Sequence, residues 1–176
     1  MSIASVHNYA KINLMPKNKG FGLLEIVIAT AIISGTIFSL SYVFLISNKL
    51  AAESSNKIRA IFLAEEGLEA LRALRDRSWT SNLSVLNTST TYYLSFATTT
   101  SIWSIGTANP GFVDGLFART VSIENVNRDP ATDNIVSSGG TNDPDTKKFN
   151  VSVAWSERTG TTTIIVSTYL TDMFDN

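Results

Sequence analysis

The stretch that decides the fold is Lys17-Asn-Lys-Gly20 followed by Phe21–Ile46, FGLLEIVIATAIISGTIFSLSYVFLI, a long apolar segment behind a short basic one. As a helix at about 1.5 Å per residue, Phe21–Ile46 is about 39 Å long, which exceeds the roughly 30 Å hydrocarbon core of a bilayer. Glu25 is its single charged side chain. A charge inside a bilayer costs about 2.5–3.5 kcal/mol on insertion scales and tends to mark function. The sequence therefore predicts a membrane-spanning helix with a functional carboxylate near its start.

Two simpler explanations of this segment are a secretory signal peptide and a plain membrane anchor. A secretory signal has an apolar region of about 7–15 residues, closed by a small-residue cleavage site. The segment Phe21–Ile46 is far longer, which argues against a secretory signal. A plain anchor fits the length of the segment but leaves Glu25 and the Gly20-Phe21 junction unexplained. The plain anchor stays open as the simplest alternative.

The residues at this junction carry a family resemblance. A basic leader that ends in Gly20, with Phe21 next and Glu25 as the fifth residue from the junction, resembles the type IV prepilin signature. The resemblance implies a membrane precursor that a prepilin peptidase cleaves between Gly20 and Phe21, followed by N-methylation of the new Phe21 amine. It also implies that subunits leave the membrane lipid by packing their N-terminal helices into a filament. There Glu25 faces the Phe21 amine of a neighbouring pilin subunit, an ion pair that offsets part of the desolvation cost.

The resemblance extends over residues 17–79. The run from Ala64 to Asp76 is similar to a helix segment of minor pilins of the pilus-modification type. The chain departs from the pattern of many pilins in two respects. Tyr42 takes the place of a helix-kinking proline found in many major pilins, and the chain has no cysteine for the C-terminal disulfide of many pilins. Major pilin, minor pilin and pseudopilin of a type II secretion or DNA-uptake system therefore stay open.

A function of another class also stays open, namely a membrane-tethered adhesin or binding module that does not polymerise. Such a protein has no need of Gly20 or Glu25. An enzyme is not expected, because the only histidine, His7, lies in the leader and there is no cysteine, which removes Ser-His-Asp and Cys-His sites. Lys147 and Lys148 stand in a polar run rather than in the apolar pocket that activates a lysine. No cofactor is expected.

The charged residues indicate which partners to expect and how the chain is oriented in a membrane. It has 14 Lys and Arg against 15 Asp and Glu, a net charge of −1 at pH 7, and no nucleic-acid partner is expected without a basic patch or stripe. The lysines before the span, Lys11, Lys17 and Lys19, place the N-terminus in the cytoplasm and the C-terminal part outside. The sequence predicts a single-pass protein of the cytoplasmic (inner) membrane, which the resemblance then places on a cell-surface filament after assembly.

The chain divides into four predicted segments. Residues 1–20 are the basic leader, 21–47 the transmembrane and assembly helix, 48–77 an amphipathic helix, and 78–176 an extracytoplasmic β-rich part. No proline occurs from Asn48 to Arg77, so one helix is expected to run from residue 21 to residue 77.

One face of the amphipathic helix carries small and apolar residues at three- and four-residue spacing, which we name the leucine stripe. Its members are Ala60, Ala64, Gly67, Leu68, Leu71 and Leu74. On another face, Glu69 with Arg72 and Arg72 with Asp76 are spaced for weak helical ion pairs. The stripe is expected to form intramolecular core.

Three segments of the C-terminal third alternate apolar and polar residues, which is typical of strands with one buried face. They are Phe117–Val126, Phe149–Trp155 and Thr161–Thr171, with a hairpin turn at Glu157-Arg-Thr-Gly160. Three antiparallel strands with an apolar face need a cover, and we expect the leucine stripe to supply it. The predicted fold class is α+β, a long N-terminal helix packed on a C-terminal antiparallel β-sheet.

Two stretches are predicted to be mostly irregular. Residues 78–115 are rich in Ser and Thr and have a turn at Pro110-Gly111, so loops with short strands are expected. Asn127–Lys147 is dense in Asp, Asn, Gly and Pro, and a solvated loop is expected. Its aspartates are the type of hard oxygen ligand that calcium takes, although EF-hand spacing is absent. They are Asp129, Asp133, Asp143 and Asp145.

Overall fold

The computed structural model describes Gly20, residues 22–158 and residues 160–174. The chain divides into two units, Met1–Ser47 and Asn48–Asn176. One long helix, α1 (Leu23–Arg77), begins in the first unit and ends in the second. The predicted continuous helix is therefore confirmed from Leu23 onward, whereas Phe21 and the leader before Gly20 lie outside the described residues.

In the first unit, α1 is exposed up to Ser47 and is long and apolar enough to cross a membrane. Four of its hydroxyl groups bond to its own backbone. Thr30, Thr36, Ser39 and Ser41 each donate to a carbonyl three or four residues earlier, at 2.7–2.9 Å. Because a bilayer core has no water to take these hydrogen bonds, internal pairing makes the hydroxyls tolerable in lipid.

The second unit adds a π-helical turn and six strands within the described residues. They are the turn Thr80–Ser84, β1 (Tyr93–Ala97), β2 (Ile102–Gly106), β3 (Ala118–Arg128), β4 (Ile135–Val136), β5 (Thr141–Glu157) and β6 (Gly160–Thr171). β1 and β2 form a hairpin, and the other four strands form an antiparallel sheet in the order β4-β3-β5-β6. The predicted α+β class is confirmed.

The core lies between α1 and the inner face of this sheet. Every member of the leucine stripe is buried. The approach is tightest at Gly67, where an added Cβ would stand 2.8 Å from Val151 Cγ1. The strands contribute alternate residues to the same core, as their sequence pattern predicts: Phe117, Val121, Ile123, Phe149, Val151, Val153 and Trp155. The expected cover of the sheet by the helix is confirmed.

The prediction that residues 127–147 form only a loop was wrong. β4 lies inside this stretch, and β5 begins at Thr141. β3 extends to Arg128, and a register shift between Asn125 and Val126 lets Arg128 pair with Thr141. The end of β3 and the start of β5 consist mainly of polar residues, so no apolar alternation predicts a strand there. Pairing of the two strands with each other decides their conformation.

One of the two predicted helical ion pairs is present. Arg72 pairs with Glu69, whereas Asp76 pairs with Arg75 at 2.8 Å and not with Arg72 as predicted. Since Glu69 already holds the Arg72 guanidinium one turn earlier, Asp76 takes the adjacent arginine. Surface pairs of this kind contribute about 0–1 kcal/mol, so the choice of partner for Asp76 has little effect on stability.

The leucine stripe gives a stability test in a fragment of residues Asn48–Asn176, which we expect to be a soluble, folded monomer. Leu71 is fully buried and Leu50, on the same helix, is 60% exposed. Leu71→Ala should lower the free energy of unfolding by about 2–5 kcal/mol, because the lost burial leaves a cavity. Leu50→Ala should change it by less than about 0.5 kcal/mol. Urea unfolding followed by circular dichroism measures both. Equal unfolding midpoints would show that the stripe faces a partner instead of the core.

Candidate functional site

The site predicted from the sequence lies where α1 begins. Gly20 is exposed, and nothing lies within 4 Å of the position that a Cβ would take there. Glu25 lies in the first turn of α1, and its backbone N–H donates to the carbonyl of Gly22 at 3.0 Å. Phe21, predicted both as the residue after the cleaved bond and as the position of N-methylation, lies outside the described residues.

Glu25 is a charge on an apolar surface. The carboxylate is exposed, it makes no hydrogen bond or ion pair with any residue that the structure describes, and its neighbours Leu24 and Ile26 are exposed as well. The positive end of the helix macrodipole favours a carboxylate in the first turn by about 0.3–1 kcal/mol. That is less than the roughly 2.5–3.5 kcal/mol that a charge costs in a bilayer, so the macrodipole alone would not offset the cost of this carboxylate in a membrane.

Sequence reasoning missed a buried lysine in the second unit. Lys147 is only 8% exposed, and its Nζ donates to the carbonyls of Leu83 at 3.1 Å, Ser84 at 2.6 Å and Leu86 at 2.9 Å. Burial lowers the pKa of Lys147 below its ordinary value. The three carbonyl dipoles act in the opposite direction, because they stabilise the charged ammonium. Lys147 does follow a polar run in the sequence, but the expectation that it is not buried where its pKa would be depressed was wrong.

The role of Lys147 follows from its donors. An ammonium has three N–H donors, and all three bond to carbonyls at the end of the π-helical turn and just beyond it. The Leu83 carbonyl also accepts from the Leu86 N–H at 3.2 Å, so Lys147 is a second donor there, and it supplies the hydrogen bond to the carbonyls of Ser84 and Leu86. Lys147 thus holds the chain after α1 against β5. One signal was available in the sequence, because Lys147 is in phase with Phe149 and Val151 on the inner face of the strand.

Arg119 is a second buried cation. It lies on the inner face of β3, and its Nη1 donates to the carbonyl of Leu63 at 3.2 Å and to Glu66 Oε2 at 3.1 Å. The guanidinium carbon stands 5.3 Å from the ring centre of Trp103, a cation–π contact. Arg119 therefore connects α1, β2 and β3 at one point.

The aspartates considered as calcium ligands are used in separate contacts. Asp129 Oδ1 accepts from the N–H groups of Ala131 and Thr132 at 2.8 and 3.0 Å, and these donors lower the pKa of Asp129. Burial raises the pKa of Asp143, but hydrogen bonds, the one from Arg128 foremost, outweigh it and lower the pKa overall.

The other two aspartates are held by their main chain. Arg128 Nη1 donates to the Asp133 carbonyl at 2.9 Å, and the Asp145 N–H donates to Asp143 Oδ1 at 3.0 Å. Within the described part of the chain, no group of three or more His, Cys, Asp or Glu is placed to hold a metal ion. In this segment the carboxylates of Asp129 and Asp143 therefore accept hydrogen bonds from the protein itself.

Comparison of the chain with protein-family models, with curated proteins and with solved structures found no match in any of the three. A function can therefore be inferred only from the residues and contacts of the chain itself.

The two lysines of β5 allow a matched test of the buried one. Lys147→Met keeps the length of the side chain but removes the donors, and a buried acceptor left unsatisfied costs about 1–3 kcal/mol. We expect the free energy of unfolding of the Asn48–Asn176 fragment to fall by at least that much. Lys148→Met removes only a partly exposed pair with Glu124 and should cost less than about 1 kcal/mol. Urea titration followed by tryptophan fluorescence separates the two variants. Equal losses would contradict the role assigned to Lys147.

Proposed function

We propose that this chain is a structural subunit of a type IV pilus or a related filament. It is made as a membrane precursor, cleaved after Gly20 and assembled through its N-terminal helix. The observation that carries the proposal is Glu25, a carboxylate in the first turn of α1 to which no described residue supplies a partner. It is the only charge in residues 22–47, an exposed and mostly apolar part of a helix that is able to span a membrane. A plain anchor has no use for this carboxylate and is destabilised by it.

The proposed chemistry of assembly involves the amine that cleavage creates at Phe21 and the carboxylate of Glu25. Cleavage by a prepilin peptidase creates a free amine at Phe21, which is then N-methylated and stays cationic. In the filament, the carboxylate of Glu25 in one subunit pairs with this amine in a neighbour. The pair offsets the desolvation of both charges, whereas in lipid the carboxylate alone has no such compensation.

The exposed apolar surface of α1 serves two environments in turn. In the precursor it contacts membrane lipid, and in the filament it contacts the helices of other subunits. Hydroxyls that already donate to carbonyls of the same helix, such as those of Thr36 and Ser39, need no hydrogen-bond acceptor from lipid or from another subunit. The precursor is thus a single-pass protein of the cytoplasmic membrane with its second unit outside, and that unit is displayed on the cell surface after assembly.

Within this class we favour a minor pilin of the pilus-modification type. The sequence from Ala64 to Asp76 carries that similarity, and α1 is an unbroken helix through Tyr42, where many major pilins have a proline. A pseudopilin of a secretion or DNA-uptake system is the alternative within the same class, and it shares the cleavage and the helix packing.

Processing is tested at the junction. Gly20 lets the peptidase approach the backbone closely, so Gly20→Leu should leave the precursor uncut because its side chain obstructs that approach. Gly22→Leu, at a glycine beyond the cleaved bond, is the matched control and should still be cut. Intact mass of protein purified from a host that makes the peptidase should show a mature chain beginning at N-methylated Phe21. Retention of Met1 in the unaltered protein would overturn the proposal.

Assembly is tested at Glu25. Glu25→Gln should insert into the membrane at least as well as the parent, because it removes a charge from the span. It should nevertheless be absent from sheared filaments, since it cannot pair with the neighbouring amine. Glu53→Gln changes an exposed glutamate farther along α1 and should leave incorporation unchanged. If Glu25→Gln is incorporated normally, a membrane-tethered module that does not polymerise becomes the better explanation.

A further inference from the structure

β6 is an edge strand without the usual protection. Among the described strands it pairs only with β5, from Thr146↔Thr171 to Glu157↔Gly160, and this ladder shows no register shift. Its sequence, GTTTIIVSTYLT, contains no charged residue and no proline. Soluble proteins normally blunt an exposed edge of this length with charge, proline or a bulge. The free backbone groups of β6 are therefore available for another strand.

A groove of about 500 Å³ lies between this strand and α1. It is lined by Phe62, Glu65, Glu66, Leu68, Glu69, Arg72 and Val166. Phe62 is 65% exposed, and Ile164 and Val166 on the inner face of β6 are only half-buried. The groove thus offers apolar contacts directly beside the free edge of the strand.

The helical wall of the groove is acidic. Arg72 pairs with Glu69, and Arg119 pairs with Glu66. Glu65 makes no ion pair with any residue that the structure describes, and it is exposed. One negative charge of the wall is therefore left for a ligand to neutralise.

We propose that this groove binds an extended, basic segment of a partner protein by strand addition to β6. The main chain of the segment continues the sheet, and its alternate side chains enter the groove against Phe62 and Val166. A lysine or arginine of the segment faces Glu65. In strand addition the backbone hydrogen bonds supply affinity and the contacts of alternate side chains supply specificity.

The charges favour a basic partner over a second copy of this chain. Pairing of β6 with the β6 of another copy brings no cation to the groove, because the strand contains no Lys or Arg. The inference depends on the second unit alone, so it does not require that the chain builds a filament.

The test uses the full chain in detergent micelles and three fluorescent eight-residue peptides. The first alternates valine with lysine and threonine, the second has glutamate for lysine, and the third is the first with alternate backbone amides N-methylated to block strand pairing. Because Glu65 attracts a lysine and repels a glutamate across the interface, the basic peptide should bind more than about tenfold more tightly than the acidic one. The N-methylated peptide should also bind more than about tenfold more weakly than its parent. Fluorescence anisotropy measures all three.

Two further measurements locate the site. Binding of the basic peptide should slow amide hydrogen exchange in β6 and leave exchange in β1 unchanged. Glu65→Lys should weaken binding more than about tenfold, whereas Glu53→Lys, also exposed on α1, should not weaken it. Equal binding of the acidic and basic peptides, unaltered exchange in β6, or full binding by Glu65→Lys would each overturn the proposal. Concentration-dependent dimerisation that slows exchange in β6 without peptide would overturn it in favour of a second copy.

Discussion

The burial of the leucine stripe of α1 against the inner face of β3 and β5 is the contact on which the rest of the second unit depends. The chain has no cysteine, so burial replaces any disulfide. Small residues at Ala60, Ala64 and Gly67 allow the helix to lie close to the strands, and at Gly67 the space left to Val151 is too small even for a methyl group. This proximity brings Leu71 and its neighbours into full burial, where each large side chain contributes about 1.5–3 kcal/mol.

Two buried cations then fix how the surrounding segments attach to this core. Arg119 and Lys147 project from the inner faces of β3 and β5, and both donate to main-chain carbonyls, of α1 in one case and of the segment after it in the other. A buried charge is tolerable only when it is paired or hydrogen-bonded. The ammonium of Lys147 makes three hydrogen bonds, and Arg119 is bonded through Nη1 while its Nε has no hydrogen-bond partner among the described residues. The apolar contact therefore supplies most of the stabilisation, while these cations select one position for the chain that follows the helix.

The sequence was sufficient for elements whose residues repeat with a clear period. The leucine stripe and the alternation around Val151 predicted the helix, three strands and the contact between them. It was insufficient where the repeat is too short to be recognised, as in the two residues of β4, and where a polar segment is a strand because it pairs with its neighbour, as in the start of β5 at Thr141. Lys147 was misjudged because its neighbours in sequence are polar, although its phase in the strand is that of the core. The place of Glu25 at the start of the helix was predicted, while its pairing with Phe21 stays a prediction.

Glu25 and Glu65 are two carboxylates for which the described residues supply no cation. The energetic cost of the missing cation differs between them because their surroundings differ. Glu65 is exposed to water, where an unpaired charge costs little, so stability of the second unit does not require the proposed ligand. In that proposal the charge of Glu65 serves only to discriminate between ligands. Glu25 lies in a segment suited to lipid, where the same charge is unfavourable until a cation reaches it. We therefore propose different roles for these two glutamates. Near the start of α1 the carboxylate favours assembly, and beside β6 it selects the partner.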